Sequence, residues 1–457
     1  MSITTKRTLQ DIDADWVIWI QIIYNIFVKF AIYNLSFPRW MNYFTDLITI
    51  VLFLFLIRTK KITVCKDFFS ASCMILCFFW VGFLSTVVSG GDSVLYLWAI
   101  RNYGRFFLWL ILCIQLLNVN KWFGHIRFLH ILLYLNLFIM MVQFFVFGER
   151  MDYLNGLFGR YVGGNSAVNT FVVVLTIENI AAYLSQKRAI KVVLINIFVI
   201  SVTCALNEVK FYFIELILVV IGALFIGNRR TWKALAKSVY LIIVFGIMML
   251  IGGAIFLYLY PGFSEKLSLE YMIYYSTRSY NSSKIIYHEG IPVSNRLTVF
   301  GIVDHYFLES ALQKILGIGM GAADIAAFIP NPFYIKYSAI AYNAFLFGLI
   351  LLENGYVGLI IYLSFILFVF LNSKRLVKKD PEQYKYSGII SGTAAFLFLF
   401  IGVYNSALKI ESSGYIYFTF LSLVFATRIH SGKHMGRTCF LRHRDFQYNT
   451  ASGAKRL

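Results

Sequence analysis

Residues 192–227 read VVLINIFVISVTCAL, then NEVK, then FYFIELILVVIGALFIG: two apolar runs with only Asn207, Glu208, Val209 and Lys210 between them. Charges set in so much hydrocarbon are costly without a partner or a task. A connection of four residues gives a glutamate and a lysine almost no loop to hold them in water. The stretch reads as a tight helical hairpin in a membrane, because a backbone in hydrocarbon must satisfy its hydrogen bonds within its own helix.

The rest of the chain agrees. Of 457 residues, 59% are hydrophobic and only 14% charged, against about 25% charged in an ordinary soluble domain. That composition excludes two or three soluble domains and predicts an all-α, polytopic transmembrane helix bundle. Run lengths predict about 12 spans, near 16–36, 42–57, 68–87, 94–117, 126–147, 166–184, 190–206, 210–226, 238–260, 342–372, 385–405 and 414–429. The tenth run is too long for one straight span and carries Glu353-Asn354-Gly355 in its middle, where a break is expected. The organisation is then a bundle over 1–260, a large loop with amphipathic helices over 261–340, further spans over 341–430 and a basic tail over 431–457. The start of the chain, MSITTKRTLQDIDADW, has three aspartates before the first run and no small-residue cleavage site after it. The first run is read as an uncleaved anchor.

The net charge of +19 suggests nucleic acid only until its distribution is considered. With an inner N-terminus, 27 of the 41 Lys and Arg fall on the segments that would face the cytoplasm, and the outer segments, longer in sum, hold 11. This is the positive-inside pattern. It places both termini in the cytoplasm and the 261–340 loop outside, and it leaves no nucleic-acid partner. Six scattered cysteines give neither a disulfide framework nor a zinc spacing.

On this topology several cations converge at the outer face. Arg101 and Arg105 share a helix face in LYLWAIRNYGRFF, Arg160 lies in an outer loop, and Arg278 and Arg296 lie in the long loop. Arginine's forked donors suit phosphate, so an outer pocket lined with cations would suit a lipid-linked pyrophosphate. Glu208 and Lys210 are either an interfacial pair that snorkels to water or part of that pocket. His305 is a candidate base, with Asp304 beside it, and surface residues are the plainer reading of both. Glu215, Glu178 and Asp46 stand within spans, where each binds a proton or satisfies a neighbouring helix. GIGMG at 317–321 follows no strand and has no βαβ context, so it is not read as a phosphate loop.

Four stretches, in this order, resemble the O-antigen polymerase and ligase superfamily of bacterial membrane glycosyltransferases. They are GLFGRYVGGNSAVNTF, ALNEVKFYF, SNRLTVFGIVDHYFLESALQKILGIGMG and AYNAFLFGLILLENGYVGLIIYL. The resemblance implies a GT-C-like fold in the bacterial cytoplasmic membrane and a donor glycan on undecaprenyl pyrophosphate. It implies no metal or cofactor, and a chain-length regulator as a possible partner alongside membrane lipids. By motif, it casts Lys210 and Arg296 on the pyrophosphate, Arg160 and Asn165 at the donor, and Asn343 on a sugar hydroxyl. Ligases of this kind carry a histidine before the asparagine, where this chain has Tyr342. The expected function is therefore a repeat-unit polymerase for O-antigen, capsule or exopolysaccharide. The ligase, a repeat-unit flippase and a non-catalytic assembly subunit are the alternatives.

Overall fold

A computed structural model describes residues 15–58, 62–161, 163–227, 232–263, 268–280, 282, 284–379 and 381–434. Most of the 431–457 tail lies outside them. Helices α1 (Asp15–Asn34), α2 (Phe44–Arg58), α3 (Lys66–Val88), α4 (Ser93–Leu116) and α5 (Trp122–Phe145) come first. They are followed by α6 (Asn165–Leu184), α7 (Ile190–Leu206), α8 (Phe211–Gly227) and α9 (Trp232–Leu259). After the long loop come α14 (Leu346–Lys379), α15 (Pro381–Tyr404) and α16 (Glu411–His434). These helices stand where the apolar runs stand. Nine segments among the described residues are helical, long and apolar enough to cross a membrane. α7 and α8 are equally apolar but have 17 residues each, about 26 Å of helix.

Burial sorts the helices into layers. α6 is enclosed along almost its whole length and packs on α7, α8, α15 and α16. Few of the apolar side chains described on α2 and α9 are buried, the pattern of helices that face lipid.

Charged groups bind the bundle at each end. At one end Arg105 of α4 reaches Glu411 of α16 at 2.8 Å and Asp46 of α2 at 3.7 Å, while Lys29 of α1 reaches Glu411 at 3.5 Å. At the other end Glu178 of α6 meets His130 of α5 at 2.8 Å and Arg188 at 2.6 Å, and accepts the Tyr386 hydroxyl of α15 at 2.7 Å. Buried ions survive only when paired in this way.

The long loop carries short elements. They are α10 (Leu269–Ser276), a two-residue hairpin β1 (Tyr287–His288) with β2 (Ile291–Pro292), α11 (Val299–Ile302), α12 (Ala311–Leu316) and α13 (Pro332–Tyr337). Local chemistry starts them. Ser310 and Gln313 form a capping box on α12, and Asn331 caps α13 just before Pro332.

α14 breaks at Gly355, whose φ is 62° and ψ −169°. The carbonyls freed there are taken up by the GIGMG segment: Ile318 N–H donates to Leu352 O at 3.0 Å and Gly319 N–H to Glu353 O at 3.2 Å. Ser85 of α3 adds a hydroxyl to Glu353 O at 3.0 Å. A Cβ on Gly317 would stand 2.3 Å from Glu353 O, and one on Gly355 would stand 2.3 Å from Ile315 O. The glycines serve this close backbone approach.

Candidate functional site

The amino end of α6, the turn between α7 and α8, α10, the segment before α11 and the carboxyl end of α15 meet around a cavity of about 790 Å³. Its walls are mostly aliphatic and aromatic, with Phe211, Ile214, Phe263 and Phe400 among them. Four residues singled out in the sequence line it together: Asn165, Glu208, Lys210 and Arg296. They come from three separate stretches of the chain. An apolar cavity with a few convergent polar groups is the usual form of a ligand site.

Arg296 is held from two sides. The buried Asn295 accepts from its Nη1 at 3.1 Å and from its backbone N–H at 2.9 Å, and Asn295 is itself anchored by donating to Tyr275 O at 3.0 Å. The guanidinium lies over the Tyr404 ring, 4.3 Å from its centre. Tyr404 in turn stacks on Phe211 at 3.7 Å with the rings 3° from parallel. Phe211 follows Lys210, whose ammonium lies 3.5 Å from the centre of the Phe263 ring. The two cations are thus mounted on aromatic plates at the cavity wall. Burial raises the Tyr275 phenol, and the Arg296 guanidinium opposes that rise. The phenol stays neutral at ordinary pH.

The turn that carries Lys210 is tight. Val209 N–H bonds Cys204 O at 2.9 Å and Lys210 N–H bonds Glu208 O at 2.9 Å. Glu208 has φ 54°, in the left-handed region that glycine and asparagine favour. Asn165, the first residue of α6, donates its amide to Asp152 at 2.7 Å.

The other sequence candidates lie elsewhere. Arg101 bonds Asp46 through Nε at 2.8 Å and through Nη2, and sits over the Tyr43 and Trp98 rings. Arg105 is spent on Glu411, Asp46 and the Lys409 carbonyl. Both arginines brace helices and do not line the cavity. Arg160 is exposed and pairs with Glu149 at 3.2 Å. Arg278 lies over Tyr274, just past α10 and outside the lining. Asn343 stands beside Tyr334 in the turn before α14. His305 is exposed in a π-turn over 303–307, away from the cavity. Its neighbour Asp304 accepts from Lys314 at 2.7 Å and from Tyr356 at 3.1 Å. That Lys314 bond holds the Asp304 carboxyl below the usual carboxylate range.

Sequence reasoning did not find Tyr404, Asn405, Tyr271 or Asn169, all of which line the cavity. Only their fold neighbours distinguish them. Asn405 ties the region together: its side chain accepts from Ala407 N–H at 2.9 Å and its carbonyl from Leu346 N–H at 3.3 Å. Below Asn169 lies Glu215, wholly buried on α8. A second buried cluster sits beside the α14 break. There Glu353 accepts from Ala323 N–H at 3.2 Å, while Asp324 meets Lys409 at 2.7 Å and Asn102 at 3.0 Å. No family model matches this chain, and no curated protein matches it either.

Proposed function

We propose that the chain is a membrane glycosyltransferase that joins oligosaccharide repeat units carried on undecaprenyl pyrophosphate into O-antigen, capsular or exopolysaccharide. It works at the outer face of the bacterial cytoplasmic membrane, as a GT-C-like bundle of about 12 spans with both termini in the cytoplasm. One observation carries the reading: Arg296 and Lys210, each placed on the pyrophosphate by the motif resemblance, converge on one apolar-walled cavity with Asn165 and Glu208. The cavity volume lies within the roughly 300–1,000 Å³ of ligand sites. Its cations suit the charge that grows on a leaving pyrophosphate. Ile214 and Phe400, which line it and are exposed on the outer surface of α8 and α15, suit the first units of an isoprenoid tail. A chain-length regulator is the expected protein partner.

The ligase reading is less favoured. The position where ligases resembling this chain carry a histidine is Tyr342, buried and committed to Ala323 O at 2.9 Å. A flippase would use a broken helix to line its substrate path, but the break in α14 is filled by residues 317–319. The test is deletion of the gene, followed by size separation of the host's surface and lipid-linked glycans. The expected result is collapse of a ladder to single repeat units. A ladder kept on the lipid carrier but lost from lipid A-core means ligase, and an unchanged surface ladder overturns the proposal.

A further inference from the structure

We infer that Glu208 is the proton acceptor of the transfer reaction, held in the cavity wall by a turn whose strained backbone is retained for that carboxylate. The inference rests on the reading above and adds to it the residue that deprotonates the acceptor sugar.

Three observations carry it. Glu208 is the only carboxylate lining the cavity among the described residues; the other polar groups there are amides, hydroxyls and the two cations. A carboxylate two residues from Lys210 weakens the hold on a bound pyrophosphate by like-charge repulsion. Proton transfer gives the carboxylate a use, because an attacking hydroxyl must lose its proton to something within reach.

The second observation is the backbone. Glu208 sits at φ 54°, where glycine or asparagine would be comfortable and glutamate is not. The third is its neighbour. Asn207 is wholly buried, and neither its amide nitrogen nor its oxygen has a hydrogen-bond partner among the described residues. Strain and an orphaned buried amide in one four-residue turn mark a segment kept for what it presents rather than for its stability.

The step balances without any further reactant. The acceptor hydroxyl oxygen bonds to the anomeric carbon of the donor sugar. The bond from that carbon to the pyrophosphate oxygen breaks, and its electron pair leaves with the lipid pyrophosphate, whose charge Arg296 and Lys210 meet. The hydroxyl proton passes to the Glu208 carboxylate.

The test uses the purified full chain in lipid nanodiscs with repeat units on undecaprenyl pyrophosphate, measuring chain extension and, separately, affinity for undecaprenyl pyrophosphate. Glu208→Gln is the isosteric change. Glu208→Asn suits the left-handed backbone and so keeps the turn folded. Both are expected to lower turnover by about 10²–10⁴-fold, with affinity for undecaprenyl pyrophosphate unchanged or tighter. In Glu208→Gly, added formate is expected to restore part of the turnover, which a merely structural role would not allow. Wild-type turnover in either variant overturns the assignment and leaves the polymerase reading standing. Turnover and affinity lost together, with no rescue by formate, also overturn it and make Glu208 a support for Lys210. A wild-type chain that binds undecaprenyl pyrophosphate yet joins no units overturns both.

Discussion

The Phe211 and Tyr404 rings lie 3.7 Å apart and 3° from parallel, so one stack joins the turn that carries Lys210 to the plate beneath Arg296. The two cations come from different parts of the chain, and this contact sets them in register. Aromatic pairs of this kind contribute about 0.5–1.5 kcal/mol beyond burial, and a guanidinium over a ring adds about 0.5–2 kcal/mol. Tyr404→Phe is therefore expected to leave binding of undecaprenyl pyrophosphate within about twofold of wild type. Tyr404→Ala should weaken it by about tenfold or more. Equilibrium binding in nanodiscs measures both.

Arg296→Ala and Lys210→Ala should each abolish visible chain extension while the protein remains in the membrane. Removing one preorganised donor for a developing anion costs about 10²–10³ in rate. Lys210→Arg should be the mildest change because it keeps the charge. Polymer length on a gel, beside an immunoblot of the membrane fraction, reads the outcome, and wild-type ladders in both alanine variants would remove these residues from the site.

Arg105 and Glu411 make a different prediction. Their 2.8 Å pair ties α4 to α16 away from the cavity lining. Breaking a buried pair by removing one partner costs about 3–5 kcal/mol. Arg105→Ala should lower the melting temperature in detergent sharply. Affinity for undecaprenyl pyrophosphate should be unchanged in the fraction that stays folded.

Much of the bundle was legible because a span is a local property of about 20 residues. The break at Gly355 could also be read, since the apolar run over 342–372 exceeds one crossing and Asn-Gly sits in its middle. The outer grouping could be read only in part: Asn165, Glu208, Lys210 and Arg296, from three of the four motifs, line one cavity, while Arg101, Arg105, Arg160, Arg278 and Asn343, expected with them, do not. Arg101 and Arg105 were legible as intramembrane charges but not as braces. Their partners Asp46 and Glu411 stand 55 and 306 positions away, and no local pattern announces such a pairing. Tyr404 was invisible for the opposite reason. It is one of 30 tyrosines, and only its position between Phe211 and Arg296 sets it apart.

The glycines at the α14 break should tolerate no side chain. Gly355→Ala places a Cβ 2.3 Å from Ile315 O in a backbone conformation closed to alanine, and Gly317→Ala meets Glu353 O at the same distance. Strain of this type costs about 1–3 kcal/mol from the backbone alone. Each variant should melt earlier than Gly253→Ala, whose added carbon meets nothing within 4 Å. Thermal unfolding in a single detergent compares the three.

Asp304 supplies a pH test. Its folded-state pKa is depressed by Lys314, so its contribution is present above the ordinary carboxylate value and is lost as pH falls through the lower folded value. The tie from Asp304 to Lys314 and Tyr356 should hold unchanged from pH 8 to about 5 and weaken below about 4. As both ions are part-exposed, the effect should stay under about 1 kcal/mol. Hydrogen exchange at 304–314 across this range should show it, and Asp304→Asn should abolish the dependence.

The wedge in α14 also bears on how the protein is made. The amides of Ile318 and Gly319 and the hydroxyl of Ser85 all precede Gly355 in the chain. A ribosome therefore delivers the seal before the helix that needs it, and the two bare carbonyls need never wait in lipid for a partner still to be synthesised.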